Sequence, residues 1–138
     1  MQRVSITAGE FTFEGVFESS NAPETCAWFA ENLPFVSKVI HARWSGEAVW
    51  VPLGDLMSGL NQENHTAHPS RGDILFYPGG ISETELLIVY GSASFASKMG
   101  TLAGNHFITI TEDRERLPEF GEYVLWHGAQ DITFSAIS

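Results

Sequence analysis

Residues 4–17 read VSITAGEFTFEGVF, and this stretch decides the fold class. Apolar residues alternate with polar ones before Gly9-Glu10 and again after it. Alternation with a period of two is typical of β-strands with one buried face, and a glycine-containing pair between two such runs is typical of a hairpin turn. The chain is therefore predicted to begin with a β-hairpin.

Beyond the hairpin, predicted strands again outnumber predicted helices. Runs rich in β-branched and aromatic residues, separated by Gly, Pro and Ser, predict strands at residues 38–44, 47–52, 73–77, 85–90, 105–111 and 132–137. Two stretches are predicted as loops, residues 55–70 with one short strand and residues 92–104 with one helical turn. Because strands and helices do not alternate regularly, we expect a mainly β fold, an antiparallel barrel.

Two short helices complete the prediction. The first covers residues 21–33, where Asn21 can cap the helix and Pro23 falls in the first turn, a position that tolerates the missing N–H. The second covers residues 115–126, and Gly128 is its expected C-terminal stop. We expect the first helix to close one end of the barrel and the second to pack at the other end.

Composition indicates one domain over residues 1–138 and limits the classes of molecule that it is expected to bind. Acidic residues number 17 against 7 basic ones, and a net charge of −10 repels nucleic acids and anionic membrane surfaces. The single cysteine, Cys26, rules out an intramolecular disulfide, and its position among apolar residues predicts an inert core thiol. No apolar run approaches the roughly 20 residues of a membrane helix, so we expect a soluble, cytoplasmic protein without a cofactor.

Several segments carry a resemblance to known families. Residues 9–17 and 22–29 resemble the start of the cyclophilins, in which a hairpin precedes a Pro-x-Thr-x-x-x-Phe helix. Residues 41–48, 63–66, 72–85 and 95–100 resemble a bacterial family of short, uncharacterised proteins with a cyclophilin-like fold. The second resemblance extends over nearly the whole chain, whereas the first covers about its first quarter.

These resemblances imply a fold and, for the cyclophilins, an activity. The implied fold is an eight-stranded barrel with one end plugged by the first helix. Cyclophilins are peptidyl-prolyl isomerases whose catalytic arginine lies over a floor of aromatic residues, and Arg43 occupies a comparable place after the helix. The segments that line the isomerase groove have no clear counterpart in this sequence, and the uncharacterised family brings no settled activity.

The strongest group of candidate site residues is His41, Arg43, Trp44, Glu47 and Trp50, on two neighbouring predicted strands. His41 and Arg43 would share one face of their strand, and Trp44 would point to the other. Arg43 would offer a bidentate donor to a carboxylate or an amide oxygen beside an aromatic wall. The structural alternative is a cross-strand Arg43–Glu47 ion pair, with the tryptophans covering the barrel.

Three further residues complete the predicted ligand groove: His65 in the long loop, Tyr77 at a strand end, and Glu83 after the Pro78-Gly79-Gly80 turn. Glu83 lies two residues before Glu85, so both carboxylates would share a strand face and could act as acid and base if one were desolvated. The alternative is a charged edge strand that discourages aggregation.

Glu63, His65 and His68 have a spacing that a metal ion could use if the backbone turned tightly. No third ligand is fixed and the helical context of zinc proteases is missing. A loop at the rim of a pocket is therefore favoured, and no metal ligand is predicted.

Three functional hypotheses follow. The first is binding of a small anionic or amide-containing ligand in a groove on the barrel. The second is peptidyl-prolyl isomerisation of a proline-containing peptide, with Arg43 as the catalytic residue. The third is a structural subunit of a homo-oligomer, in which the tryptophans anchor the interface. Whether the protein is an enzyme is left open by the sequence.

Overall fold

A computed structural model describes residues 2–137, and Met1 and Ser138 lie outside that part of the chain. The strands are β1 Arg3–Ala8, β2 Phe11–Phe17, β3 Phe35–His41, β4 Gly46–Pro52, β5 His65–Thr66, β6 Asp73–Tyr77, β7 Glu85–Ala93, β8 Ala96–Ser97, β9 Gly100–Thr101, β10 Gly104–Glu112 and β11 Gln130–Ile137. The helices are α1 Pro23–Glu31 and α2 Leu117–His127, the second preceded by a 3₁₀ turn at Arg114–Arg116.

Eight strands close into an antiparallel barrel, which confirms the predicted mainly β fold with two short helices. Their order is β2-β1-β11-β3-β4-β7-β6-β10, and β10 pairs with β2 to close the barrel. The predicted hairpin is present, because Ala8 pairs with Phe11 and leaves Gly9-Glu10 as a two-residue turn. Outside the barrel, β5 pairs with β10, and β8 pairs with β9 as a separate small hairpin.

The two helices fill opposite ends of the barrel with phenylalanine side chains. Phe120 of α2 lies 5.5 Å from Phe11 and 5.6 Å from Phe13, measured between ring centroids. Phe29 of α1 packs at the opposite end of β2, with ring centroids 5.0 to 6.4 Å from those of Phe17, Phe35, Phe107 and Phe134. This aromatic packing gives the barrel a filled interior, so a ligand site has to lie outside it.

The start of α1 differs from the sequence prediction. Ala22 is the N-cap residue and makes no side-chain cap bond, so the predicted cap at Asn21 is wrong. Glu63, which lies in the long loop, caps the helix instead: its Oε1 accepts a hydrogen bond from the backbone N–H of Thr25 at 2.6 Å. A carboxylate is favoured at a helix N-terminus, where backbone N–H groups lack partners inside the helix. The helix ends at Glu31, earlier than predicted.

Two other boundaries also differ. Residues 92–104 contain no helical turn; β7 continues to Ala93, and the β8–β9 hairpin follows. The second helix begins at Leu117 after the 3₁₀ turn, and Gly128 ends it with a φ of +83°, as predicted. Within residues 2–137, no helix is long and apolar enough to cross a membrane.

Cys26 is buried in α1, and its thiol donates a hydrogen bond to the carbonyl oxygen of Phe107 at 3.3 Å. Burial raises the pKa of this thiol from 9.0 to about 11. The thiolate, which is the reactive form of cysteine, is therefore scarce at neutral pH. This agrees with the prediction of an inert core residue.

Strand β7 is buried on both of its faces. Leu86 and Ile88 point into the barrel, whereas Leu87 and Val89 point outward and are nevertheless at most 1% exposed. Residues 93–102, which we call the arm, cover this outer face. The resulting outer cluster contains Ala48, Leu75, Tyr77, Leu87, Val89, Phe95 and Leu102. Because both faces of β7 are buried, its sequence is an uninterrupted aliphatic run rather than an alternating pattern.

Candidate functional site

A cavity of about 370 Å³ lies at the edge of the outer cluster, and we call it the outer pocket. Three segments distant in sequence meet there: the connection between β3 and β4, the start of β7, and the arm. Its lining consists of Ile40, Ala42, Arg43, Trp44, Ser45, Trp50, Ser82, Glu83, Glu85, Leu87, Ala96, Ser97 and Lys98. Pockets for small molecules begin at roughly 300 Å³ and combine apolar walls with a few polar groups.

The β3–β4 connection places Arg43 and Trp44 at the mouth of this pocket. Strand β3 ends at His41, so the predicted strand to residue 44 is wrong in its last residues. The reason is Ser45, whose hydroxyl donates to the carbonyl oxygen of Ala96 and accepts from its N–H, both at 3.1 Å. These bonds tie the connection to the arm and direct it away from the strand.

Arg43 is exposed and, within residues 2–137, forms no ion pair with a carboxylate. The alternative Arg43–Glu47 pair does not form, because the Glu47 carboxylate instead accepts a hydrogen bond from the backbone N–H of Ser92 at 2.7 Å. The guanidinium of Arg43 is therefore available to a ligand, and its neighbour Lys98 on the arm adds a second positive charge to the lining.

Two tryptophans form aromatic walls of the pocket. Trp50 is partly buried on β4, where it pairs with Leu87 of β7 and packs against the outer cluster. Trp44 is 58% exposed at the mouth, so its ring is accessible to a ligand. Together the rings offer apolar surface beside the cations of Arg43 and Lys98.

Glu85 also lines this pocket and is only 6% exposed. Burial, and secondarily the negative charge of Glu83, raises the pKa of its carboxyl from 4.5 to about 8. No fully buried polar side-chain atom in residues 2–137 lacks a hydrogen-bond partner, and the Glu85 carboxyl forms no hydrogen bond to a described residue. Its oxygens must therefore keep access to the pocket, where Glu85 is a neutral carboxylic acid at pH 7.

His41 and Glu47 are not among the residues that line the outer pocket. His41 Nδ1 lies 2.8 Å from the carbonyl oxygen of Ala42, so it must donate there, which leaves Nε2 to accept from the hydroxyl of Tyr90 at 2.7 Å. Burial raises the pKa of the Tyr90 hydroxyl, with smaller contributions from the charges of Glu122 and Glu47. The His41–Tyr90 pair therefore joins β3 to β7 beneath α2.

His65 and Tyr77 also lie outside the outer pocket. His65 is exposed on β5, next to β10. The Tyr77 hydroxyl accepts hydrogen bonds from the N–H groups of Ile81 at 3.1 Å and Ser82 at 3.4 Å, so it supports the glycine turn that leads to Glu83. Among residues 2–137, no three His, Cys, Asp or Glu side chains are grouped closely enough to hold a metal ion.

Two larger depressions flank the turn at residues 78–80, with volumes of about 760 and 570 Å³. Both are more open to solvent than the outer pocket, and neither is lined by a Trp, Lys or Arg side chain. The outer pocket is smaller, but it combines cations, aromatic walls and a buried acid. We therefore take it as the candidate functional site.

Four of the eight predicted ligand-binding residues thus line one cavity: Arg43, Trp44, Trp50 and Glu83. Glu85 entered the sequence analysis only as the partner of Glu83, and Lys98 was not proposed as a site residue. A signal for Glu85 does exist in the sequence. It immediately precedes the aliphatic run at residues 86–89, and a carboxyl group at the edge of a strand buried on both faces is expected to lose water.

Residues 4–136 match the model of a family described as a protein of unknown function, DUF3830. The chain belongs to this family. No curated protein matches it significantly.

Two solved structures share the fold of this DUF3830 chain. McbB, solved in complex with tryptophan, superposes with a TM-score of 0.73 at 17% identity over 96% of this chain, which spans only 44% of McbB. The hypothetical protein AF2241 from Archaeoglobus fulgidus superposes with a TM-score of 0.64 at 16% identity, covering 99% of this chain and 95% of AF2241. Identities this low show a common fold and carry no activity with them.

Proposed function

We propose that this protein binds a small molecule with a carboxylate or amide group next to an apolar, preferably aromatic, body, and that it does so in the outer pocket. The observation that carries the proposal is the unpaired guanidinium of Arg43 at the mouth of a cavity walled by Trp44 and Trp50. The resemblance of the sequence to cyclophilin-like barrels is part of the same proposal.

The charges around the pocket favour a carboxylate. The chain has only 7 basic residues and a net charge of −10, yet Arg43 and Lys98 both line this one cavity. A guanidinium binds a carboxylate through two parallel hydrogen bonds, which are stronger than bonds between neutral groups. An amide also fits, because its oxygen can accept from Arg43 while its N–H donates to the carboxylate of Glu83.

The apolar part of the ligand is expected against the indoles. Trp50 and Leu87 form a row on the outer face of the barrel, and the exposed ring of Trp44 lies at the mouth. McbB, which shares the fold, was solved with tryptophan, an aromatic amino acid. That ligand belongs to McbB, and because the two proteins share a fold we choose aromatic carboxylates as the first probes for this chain.

The proposal is tested by calorimetric titration and thermal shift with phenylpyruvate, tryptophan, benzoate and benzamide. A ligand that binds only the native state raises the melting temperature. We expect Arg43→Gln to weaken binding of the best probe by about 10-fold or more, because a charge-assisted hydrogen bond contributes about 1.5–3 kcal/mol.

Lys38→Gln is the matched control. It also removes one positive charge, but Lys38 is exposed on β3, pairs with Asp131 and does not line the pocket. Equal affinities for wild type and Arg43→Gln would contradict the proposal. A proline-containing peptide belongs in the same panel, since binding and isomerisation of that peptide alone would favour the isomerase alternative.

A further inference from the structure

Glu85 has no structural task that explains its place in the wall of the outer pocket. A glutamate residue that is only 6% exposed normally pairs with a cation or accepts several hydrogen bonds, because desolvating an ionised carboxylate is costly. Glu85 forms no ion pair within residues 2–137, and its strand partners are Pro52 and Tyr77. A structural position of this kind would be filled more stably by an apolar residue.

Glu83 differs from Glu85 although only one residue separates them. Glu83 is exposed at the rim of the pocket, and its negative charge contributes to the raised pKa of Glu85. Glu85 is protonated at neutral pH because of its burial. The cavity thus holds one buried and one exposed carboxyl group side by side, and enzymes that use one carboxyl as an acid and another as a base place them in contrasting environments of this kind.

We propose that the outer pocket catalyses proton transfer on a carbonyl-bearing carboxylate, with Glu85 as the general acid and Glu83 as the general base. The proposal rests on the function proposed above, because it uses the same pocket and the same ligand carboxylate at Arg43. It adds the reaction class, keto–enol tautomerisation of a 2-oxo acid.

The step balances with the residues present. The C–H bond beside the carbonyl breaks, its proton passes to the Glu83 carboxylate, and its electron pair forms the carbon–carbon double bond of the enol. The carbonyl π pair takes the proton of Glu85, which becomes a carboxylate. The reverse step returns both protons, and exchange with solvent at the mouth allows deuterium to enter the substrate. No oxidant, reductant or cofactor is consumed.

The probe is phenylpyruvate in D₂O, with loss of the C3 proton signal followed by NMR. Wild-type protein is expected to accelerate deuterium incorporation over the buffer rate, with a fall in rate as pH rises above about 8 and Glu85 loses its proton. Positioned acids and bases contribute about 100- to 10,000-fold. Glu85→Gln is therefore expected to slow exchange at least 10-fold while binding of phenylpyruvate, followed by thermal shift, is retained.

Glu83→Gln is a second variant and is also expected to slow exchange at least 10-fold. Because Glu83 is exposed, we expect this change to leave the core intact. Glu31→Gln, an exposed change on α1 away from the pocket, is the control and is expected to match wild type. Binding without accelerated exchange, or exchange that survives both pocket variants, overturns the inference and leaves the binding function standing. Absence of binding by all probes overturns both.

Discussion

At the scale of single residues, Glu85 has an unusual environment for a carboxyl group. Its pKa of about 8 results from burial at the edge of the outer cluster and from the charge of Glu83. The unfolded chain would ionise this carboxyl near 4.5. The folded state therefore binds one more proton than the unfolded state between these two values, and the stability of the protein is linked to pH through this single group.

The sign of the linkage leads to a prediction. Because the folded-state pKa is raised, the contribution of Glu85 is fully present below about pH 4.5 and is lost as pH rises to about 8. Glu85→Gln removes this dependence, so its free energy of unfolding should rise relative to wild type across that window. The upper limit of the slope is about 1.4 kcal/mol per pH unit.

Urea unfolding at several pH values between 5 and 8 measures this difference. Glu31→Gln is again the control and should follow the wild-type pH dependence, because Glu31 is exposed. Parallel curves for Glu85→Gln and wild type would mean that the carboxyl of Glu85 is hydrated in the folded protein.

At the scale of elements, the seating of α2 depends on a close approach to β7. A Cβ atom built on Gly121 would lie 2.3 Å from ring atoms of Tyr90. Tyr90 is 5% exposed and its hydroxyl is held by His41, so the ring cannot easily give way. Glycine at this helical position is therefore explained by packing, although alanine forms helices more readily.

Gly121→Ala tests this explanation. Helix propensity alone predicts a gain of about 1 kcal/mol, whereas the clash with Tyr90 predicts a loss of about 1–3 kcal/mol. We expect the loss, measured by urea unfolding. Glu119→Ala in the same helix changes an exposed residue and should stay within about 0.5 kcal/mol of wild type. A Gly121→Ala protein more stable than wild type would refute the close packing.

The strands and the arm differ in how well the sequence predicts them. Period-two alternation located β1 and β2, because each has one face in the core, and runs of β-branched and aromatic residues located most of the other barrel strands. The arm could not be predicted in the same way. Its small residues, such as Ala96, Ser97 and Gly100, are typical of loops, and its hairpin depends on hydrogen bonds to Ser45 from another part of the chain.

At the scale of the whole molecule, the interior of the barrel forms the packed core, whereas its outer face forms the candidate site. The phenylalanines on the two helices pack in the interior, and the outer pocket lies outside it, where the arm meets β4 and β7. The sequence therefore predicted only part of the group of residues around Arg43 correctly. Trp44 and Trp50 share its pocket, but His41 and His65 do not, because strand ends and barrel order decide which neighbours meet.

The central claim is that the outer pocket, with Trp44 and Trp50 in its walls, takes up a small aromatic carboxylate. The chain provides its own controls, since it has 4 tryptophans and only these two line the pocket. Trp28 packs on Phe76 near the barrel end, and Trp126 is 77% exposed on α2.

The decisive measurement is a titration of ¹⁵N-labelled protein with phenylpyruvate, in which the four indole N–H signals are followed by NMR. We expect saturable shifts of the Trp44 and Trp50 signals, with those of Trp28 and Trp126 unchanged. Shifts confined to Trp126, or no shift in any indole at millimolar ligand, would contradict it.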